Sequence, residues 1–433
     1  MSAEPLRIGL AGFGNVGAGV YKNLVKNREL LRGRTGKDLE ITRIAVRDPD
    51  KARETELPAD LVTTSLDDLV NDPEIDLIVE LIGGTGRALE FVKASLEAGK
   101  GVVTGNKALL AEHGQELFSL AEKHDSPIYY EAAVAGGIPI IKTVQESLVG
   151  NHIQSVFGII NGTCNYILTR MEEAGLDYPE ALAEAQQLGY AEADPTLDVN
   201  GWDAAHKAII LASLSYGRWV PCEGVHVEGL DKVTRTDIDF AAQMGYSIKL
   251  LGIIQLHEKS GSIEVRVQPS LISKDHILAS VKGVFNAIMV KGDVVGETLF
   301  YGSGAGQDPT SSSVIGDIAD AASRARRDNR ACFVTHGLYG QPLPQDQSVS
   351  QYYLRVEAED RPGVLARIAT VLGKHEIGIL SVIQPEDHDE SFTPIVLTLH
   401  FAPFGIVRSA IEEIDNLDCV RGEAVLLRVE SLD

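Results

Sequence analysis

Between residues 6 and 134, short runs of apolar and β-branched residues alternate with stretches whose apolar positions recur three and four apart. LRIGLAG, ITRIAV, DLIVELIGG, KGVVTG and PIYYEAAV read as buried strands, and NVGAGVYKNLVKNRELL, RALEFVKASLEAG and ALLAEHGQELFSLAEKH as amphipathic helices. Such alternation predicts an α/β fold with a parallel, doubly wound sheet over 1–134. From 135 to 310 helical periodicity covers 139–149, 165–175, 178–188 and 201–216, and strand-like runs cover 152–160, 248–257, 262–269 and 283–291. An α+β domain with a mixed or antiparallel sheet is expected there. The helical run SSSVIGDIADAASRARR opens a segment, 311–340, expected to return to the first domain. QPLPQDQSVSQ (341–351), polar and carrying two prolines, reads as a linker. Beyond it, 352–433 follow the order βαββαβ, a ferredoxin-like layout.

The first strand runs into Gly12-Phe13-Gly14-Asn15-Val16-Gly17, a G-x-G-x-x-G that opens a helix. In that setting the glycines serve a tight turn, close approach of a pyrophosphate, and helix–strand packing, while the helix N-terminus offers N–H groups to the phosphates. The second strand ends at Arg47-Asp48. An acidic residue there grips a ribose 2′-OH and an arginine accepts a 2′-phosphate, so both NAD and NADP stay open, with Arg47, Lys51 and Arg53 tilting toward NADP. Gly83, in the loop after the next apolar strand, should border the same ligand. The late loop Gly302-Ser303-Gly304-Ala305-Gly306 either closes over the nicotinamide or is a connector.

The 433 residues call for two or three domains. A formal charge of −23 disfavours nucleic acid and anionic membranes as partners. No apolar run is long enough to cross a bilayer, and the N-terminus lacks a signal-peptide pattern. The four cysteines, Cys164, Cys222, Cys332 and Cys419, have no metal-ligand spacing, which suits a reducing, cytoplasmic setting.

In DVNGWDAAHKAIILASL (198–214), Asp203 and Lys207 share one face of a helix that is otherwise apolar. On a solvated face they would form a weak ion pair. In a partly dry cleft, desolvation lowers a lysine's pKa and a carboxylate raises it, a balance that suits a general acid/base. Upstream, Glu192, Asp194 and Asp198 place three carboxylates within seven residues. They form either a solvated loop or a cage for a cationic group such as an ammonium. Lys107, directly after a strand, is a further cation at the ligand end of the sheet, or an ordinary surface lysine.

GFGNVG, TGNKALLA, EAAVAGGIP, INGTCNYIL, GYAEADPTLDVNGWDAAHK and GSGAG, in this order, closely resemble homoserine dehydrogenase over residues 6–330. The C-terminal unit, with Asp360-Arg361-Pro362-Gly363-Val364-Leu365, resembles an ACT domain, an amino-acid-sensing module. The resemblance implies interconversion of L-homoserine and L-aspartate 4-semialdehyde with NADP or NAD, in threonine, methionine and isoleucine biosynthesis. It implies that Lys207 exchanges the proton at the substrate oxygen, that Asp203 and Lys107 orient and polarise that oxygen, and that Glu192 and Asp198 hold the amino-acid end. It puts Phe13, Asn15 and Val16 at the pyrophosphate and Gly306 at the nicotinamide. It also implies a monovalent cation, Na⁺ or K⁺, at Glu131, Val134, Gly136 and Ile138, and a homodimer or homotetramer. Threonine is the expected effector, near Asp360 and Gly363, and removal of 345–433 is expected to spare activity. Two rival readings remain: an aldehyde dehydrogenase using Cys164 as a thioester-forming nucleophile, and a non-catalytic amino-acid or nucleotide sensor.

Overall fold

The computed structural model of the chain describes residues 4–51, 55–56, 58–323, 333–385 and 392–432. They form two compact units, one of residues 1–154, 206–223 and 288–339, the other of 155–205, 224–287 and 340–433. In the first unit six strands pair in parallel: β1 (Leu6–Ala11), β2 (Leu39–Ala45), β3 (Val62–Thr63), β4 (Leu77–Glu80), β5 (Gly101–Thr104) and β6 (Ile128–Tyr129). Their spatial order, β3-β2-β1-β4-β5-β6, reverses direction at β1, and in such sheets ligands bind beyond the carboxyl ends of the strands at that point. Ile8, Leu10, Ile44, Leu77 and Val79 are sealed from solvent in the core, each worth roughly 1.5–3 kcal/mol.

Several boundaries differ from the pattern. NVGAGVYKNLVKNRELL forms two helices, Asn15–Lys26 and Arg28–Thr35, separated at Asn27. PIYYEAAV keeps two strand residues and then turns through a short 3₁₀ segment, Glu131–Ala133, because the Glu131 N–H is taken by Asp317 at 2.9 Å. The helix expected over 311–340 spans Gln307–Ser323 and lays Val314, Ile318 and Ala322 on the core of the parallel sheet. Residues 333–339 are not helical, and 324–332 lie outside the described residues.

The remaining strands are β7 (Ile153–Ile159), β8 (His226–Val227), β9 (Tyr246–His257), β10 (Ser262–Ser273), β11 (Phe285–Gly292), β12 (Gly296–Ser303), β13 (Val349–Glu359), β14 (Ile379–Ile383), β15 (Phe392–Pro403) and β16 (Val425–Glu430). In the second unit β7 and β10 flank β9 in antiparallel register. The C-terminal strands follow the order β16-β13-β15-β14, the ferredoxin-like arrangement, with helices Val364–Lys374 and Phe404–Asp415 in between. This module is not a separate bead. β16 pairs in parallel with β10, Ser270 opposite Arg428 through Ile272 opposite Glu430, so the two sheets are one. The linker expected at 341–351 is likewise built in. Gly340 and Leu343 donate to Gly261 and Ile263, each at 2.7 Å, Ile263 donates to Gln341 at 3.2 Å, and β13 already begins at Val349.

Buried charge locks this junction. Arg266 reaches Glu430 with two bonds of 2.5 and 3.0 Å and Glu264 with one of 2.8 Å, and the Arg266 and Glu430 side chains are 4% and 8% exposed. Burial alone would push the Glu264 carboxyl up. The His257 bond at 2.8 Å and the Arg266 and Arg428 guanidiniums outweigh it and hold the group far below the usual carboxylate range. Nearby, the sealed carboxylate of Asp237 accepts Tyr353 Oη at 2.9 Å and Arg355 Nε at 2.7 Å. Removing one partner of a buried ion pair strands the other charge. The expectation that truncation at 345 spares the enzyme is therefore revised. Glu430→Gln should lower stability by about 3–5 kcal/mol, and deletion of 345–433 should give an insoluble or molten chain. A urea midpoint unchanged in either variant would contradict the lock.

Candidate active site

At the carboxyl end of β1 the backbone turns at Gly12, with φ of +100°, and a Cβ there would lie 2.6 Å from the Leu81 carbonyl oxygen. A Cβ on Gly17 would lie 2.2 Å from the Gly12 carbonyl oxygen, so that glycine serves packing of helix Asn15–Lys26 against the turn. Gly14 instead faces open space, the side from which a pyrophosphate can approach backbone N–H groups. A cleft of about 800 Å³ opens here, with Gly12, Phe13, Gly14, Asn15, Arg47 and Gly83 among its walls. Val16 packs into the core beside it. Arg47 is joined in the lining by Lys51 and by Arg87, a cation the sequence reading did not single out; Arg53 lies outside the described residues. The loop bearing Gly306 leads into Gln307, whose side-chain amide donates to Asn15 O at 3.1 Å and Asn15 Oδ1 at 3.0 Å. The late glycine loop is thus fastened to the dinucleotide turn.

Glu80, sealed at the end of β4, was also missed. One carboxylate oxygen accepts the N–H groups of Ile82 at 2.9 Å and Gly83 at 3.2 Å, and the other accepts Thr104 Oγ1 at 2.6 Å. Thr104 in turn accepts the Asn106 N–H at 3.0 Å, and Asn106 caps helix Lys107–Lys123 through the Leu109 N–H. Glu80 therefore shapes both the Gly83 loop and the turn that presents Lys107. Its signal was a lone acid inside an apolar strand.

The carboxylate cluster is sorted by its hydrogen bonds. Asp194 serves its own turn: its carboxylate accepts the Thr196 hydroxyl at 2.5 Å and the Thr196 N–H at 3.2 Å, and these bonds lower its pKa. Glu192 stands exposed on the loop, whose backbone is tied down by Gln186 and by Thr163 Oγ1 donating to Tyr190 O at 2.8 Å. Asp198 and Asp203 are brought together by Asn161, whose amide nitrogen donates to one oxygen of each at 2.8 Å. Asp203 and Lys207, both only 8% exposed, lie one turn apart on helix Trp202–Tyr216. Around them Ala204, Ala205, Ala208 and Ile209 are sealed. Their burial is unlike that of an exposed surface pair.

Cys164 is fully buried, and its thiol donates to the Asp198 carbonyl at 3.2 Å. A sealed thiol spent as a donor is not an accessible thiolate, so the thioester reading loses its nucleophile.

The expected cation loop is ordered by other bonds. Both Glu131 carboxylate oxygens accept N–H groups, of Ile141 and Lys142, at 2.9 Å; burial, opposed by these bonds, leaves its pKa raised. Asp317 beside it is pushed by burial up to about 7, against the pull of Lys142 at 3.1 Å. Gly136 O accepts the Ser313 hydroxyl and Ile138 O the Ile140 N–H, and Ala135, just before Gly136, takes a φ of +48°. Each carbonyl keeps a second lone pair. Carbonyl oxygens are the ligand type that a hard cation takes, and no His/Cys/Asp/Glu group suited to a metal occurs among the described residues.

In the C-terminal module Asp360 accepts Gln384 Nε2 at 3.2 Å, and Gly363, at φ +93° with open space around it, precedes helix Val364–Lys374. Among the described residues no helix is long and apolar enough to cross a membrane.

Family models match three consecutive stretches: the homoserine dehydrogenase NAD-binding domain over 12–131, homoserine dehydrogenase over 139–319, and the ACT domain over 352–418. The homoserine dehydrogenase of Pseudomonas aeruginosa is 44% identical over 437 aligned residues, covering 99% of this chain and all of its own length. The chain belongs to the homoserine dehydrogenase family. The homoserine dehydrogenase of Bacillus subtilis is 38% identical over 99% of both chains. A crystal structure of homoserine dehydrogenase from Thiobacillus denitrificans superposes with a TM-score of 0.93, at 42% identity and full coverage of both chains. A hyperthermophilic archaeal homoserine dehydrogenase in complex with NADPH superposes with a TM-score of 0.62, at 28% identity, over 74% of this chain and 98% of that one. Membership across the catalytic segment as well as the nucleotide-binding one leaves the sensor reading unsupported. For the buried thiol, Cys164→Ser should keep homoserine turnover within about twofold, since a hydroxyl can donate to the same carbonyl. Loss of turnover with an intact melting profile would restore the nucleophile.

Proposed function

We propose that this chain oxidises L-homoserine to L-aspartate 4-semialdehyde, and reduces it in reverse, with NADP preferred over NAD. The observation carrying the reading is the burial of Asp203 and Lys207, one turn apart on a helix lined by sealed apolar residues, in a chain of the homoserine dehydrogenase family. The nicotinamide cofactor accepts the hydride from the carbinol carbon of homoserine. Lys207 takes the hydroxyl proton as the carbonyl forms, and returns it in reduction. Asp203 holds that lysine's charge, and Lys107 polarises the substrate oxygen. Glu192 and Asp198 accept the substrate ammonium. The backbone at Phe13, Asn15 and Val16 takes the pyrophosphate, and Gly83 and Gly306 flank the cofactor.

Preference for NADP is supported by three cations in the cleft, Arg47, Lys51 and Arg87, and by Asp48, whose carboxylate already accepts the Asp50 N–H at 3.0 Å. A monovalent cation, Na⁺ or K⁺, would be held by the carbonyls of Val134, Gly136 and Ile138 with Glu131 bracing the loop. Threonine, the end product of the reaction's biosynthetic branch, would bind near Asp360 and Gly363 and inhibit. The working form would be a cytoplasmic homodimer or homotetramer.

With homoserine, nicotinamide absorbance should rise, faster with NADP than with NAD, and threonine should slow it. Lys207→Ala should lower kcat by about 10²–10⁴-fold with NADP affinity kept; largely intact turnover would remove the lysine from the chemistry. Arg47→Ala should raise the NADP KM by about tenfold or more and leave the NAD KM alone. Equal effects on both cofactors would refute the 2′-phosphate role.

A further inference from the structure

Asn161 sits at the start of helix Gly162–Ala174 and is 3% exposed. Its Oδ1 accepts the Cys164 N–H at 2.7 Å, the ordinary N-cap bond. That bond also fixes which way round the amide lies, because only the oxygen can accept. The NH₂ group is left with two hydrogens, one donated to Asp198 Oδ1 and one to Asp203 Oδ2, each at 2.8 Å. Every bond the amide makes here is therefore determined by the helix it caps.

We propose that Asn161 is the positioning residue that holds Asp198 and Asp203 as one anionic pair, setting where the substrate ammonium docks relative to the proton-exchanging lysine. This rests on the functional reading above, in which Asp198 meets the ammonium and Asp203 supports Lys207. Asp198 lies on the four-residue helix Thr196–Val199, and Asp203 lies in the first turn of Trp202–Tyr216, which also carries Lys207. Two carboxylates drawn to one nitrogen repel each other. A neutral amide offsets part of that repulsion without contributing a net positive charge, so the pair remains attractive to cations. A lysine or arginine in this place would neutralise the site, and an aspartate would add a third carboxylate. Asn161 donates to the carboxylates and has no assigned contact with a reacting atom, so its effect runs through them.

The chemistry of the cap permits a clean test. Serine and aspartate both cap helices about as well as asparagine, yet Asn161→Ser removes both donors and Asn161→Asp replaces them with charge of the wrong sign. In the full-length protein with NADP, both variants should stay cooperatively folded and keep the NADP KM, with a modest drop in melting temperature for Asn161→Ser and a larger one for Asn161→Asp, which crowds a third carboxylate against two others. Asn161→Ser should raise the homoserine KM by about tenfold or more, with a smaller loss in kcat. Asn161→Asp should raise the homoserine KM further still. Wild-type kcat/KM for homoserine in Asn161→Ser would overturn the proposal. So would equal losses toward homoserine and NADP with a collapsed melting profile, which is the signature of a cap alone. Absence of homoserine turnover in the wild-type protein would instead defeat the functional reading itself, and this proposal with it.

Discussion

A carboxylate and a lysine are buried one turn apart on a helix whose residues Ala204, Ala205, Ala208 and Ile209 are sealed from solvent. Isolated, either charge would be expelled or neutralised. Asp203 has a donor in Asn161, and Lys207 follows it one turn later on the same helix. Much of the surrounding architecture can be understood as what is needed to hold that arrangement. A capped helix aims the amide of Asn161, a short helix delivers Asp198 to it, and a tied-down loop carries Glu192.

The nucleotide cleft follows the same rule at larger scale. Glu80, buried in a strand, has its acceptor capacity used by two loops, one bordering the cleft and one starting the helix of Lys107. The C-terminal module is attached in a related manner. Arg266 and Asp237 lie within the stretch matched by the homoserine dehydrogenase model, Tyr353 and Arg355 lie within the ACT match, and Glu430 lies on β16 beyond it. The proposed effector position at Asp360 directly follows β13, the strand bearing Tyr353 and Arg355. An effector there would act on a strand already bonded to the substrate-domain fold, with no flexible tether in between.

The sequence revealed most of the parallel sheet and the ferredoxin-like order, because both depend on periodic burial of apolar side chains. It revealed the glycine turn because Gly12 and Gly17 have steric reasons to be glycine that any such turn shares. It failed where polar residues do structural work. QPLPQDQSVSQ looked like a tether, yet its backbone at Gln341 and Leu343 is bonded to residue 263. TRTDIDFAAQ drew no notice, although it forms helix Arg235–Gln243 and carries the sealed Asp237. Asn161 was quoted within a motif without a role, since an N-cap and a carboxylate clamp look alike until the partners of the amide are known. The three carboxylates at 192–198 were indistinguishable in sequence; Thr196 beside Asp194 separates one of them by local turn chemistry.

A crystal structure of the full chain with NADP and homoserine would test the central claim most directly. The account predicts the substrate hydroxyl oxygen about 3 Å from Lys207 Nζ, with the ammonium against Asp198. Homoserine bound in full with its hydroxyl turned away from Lys207, and another side chain in proton-transfer reach, would contradict it.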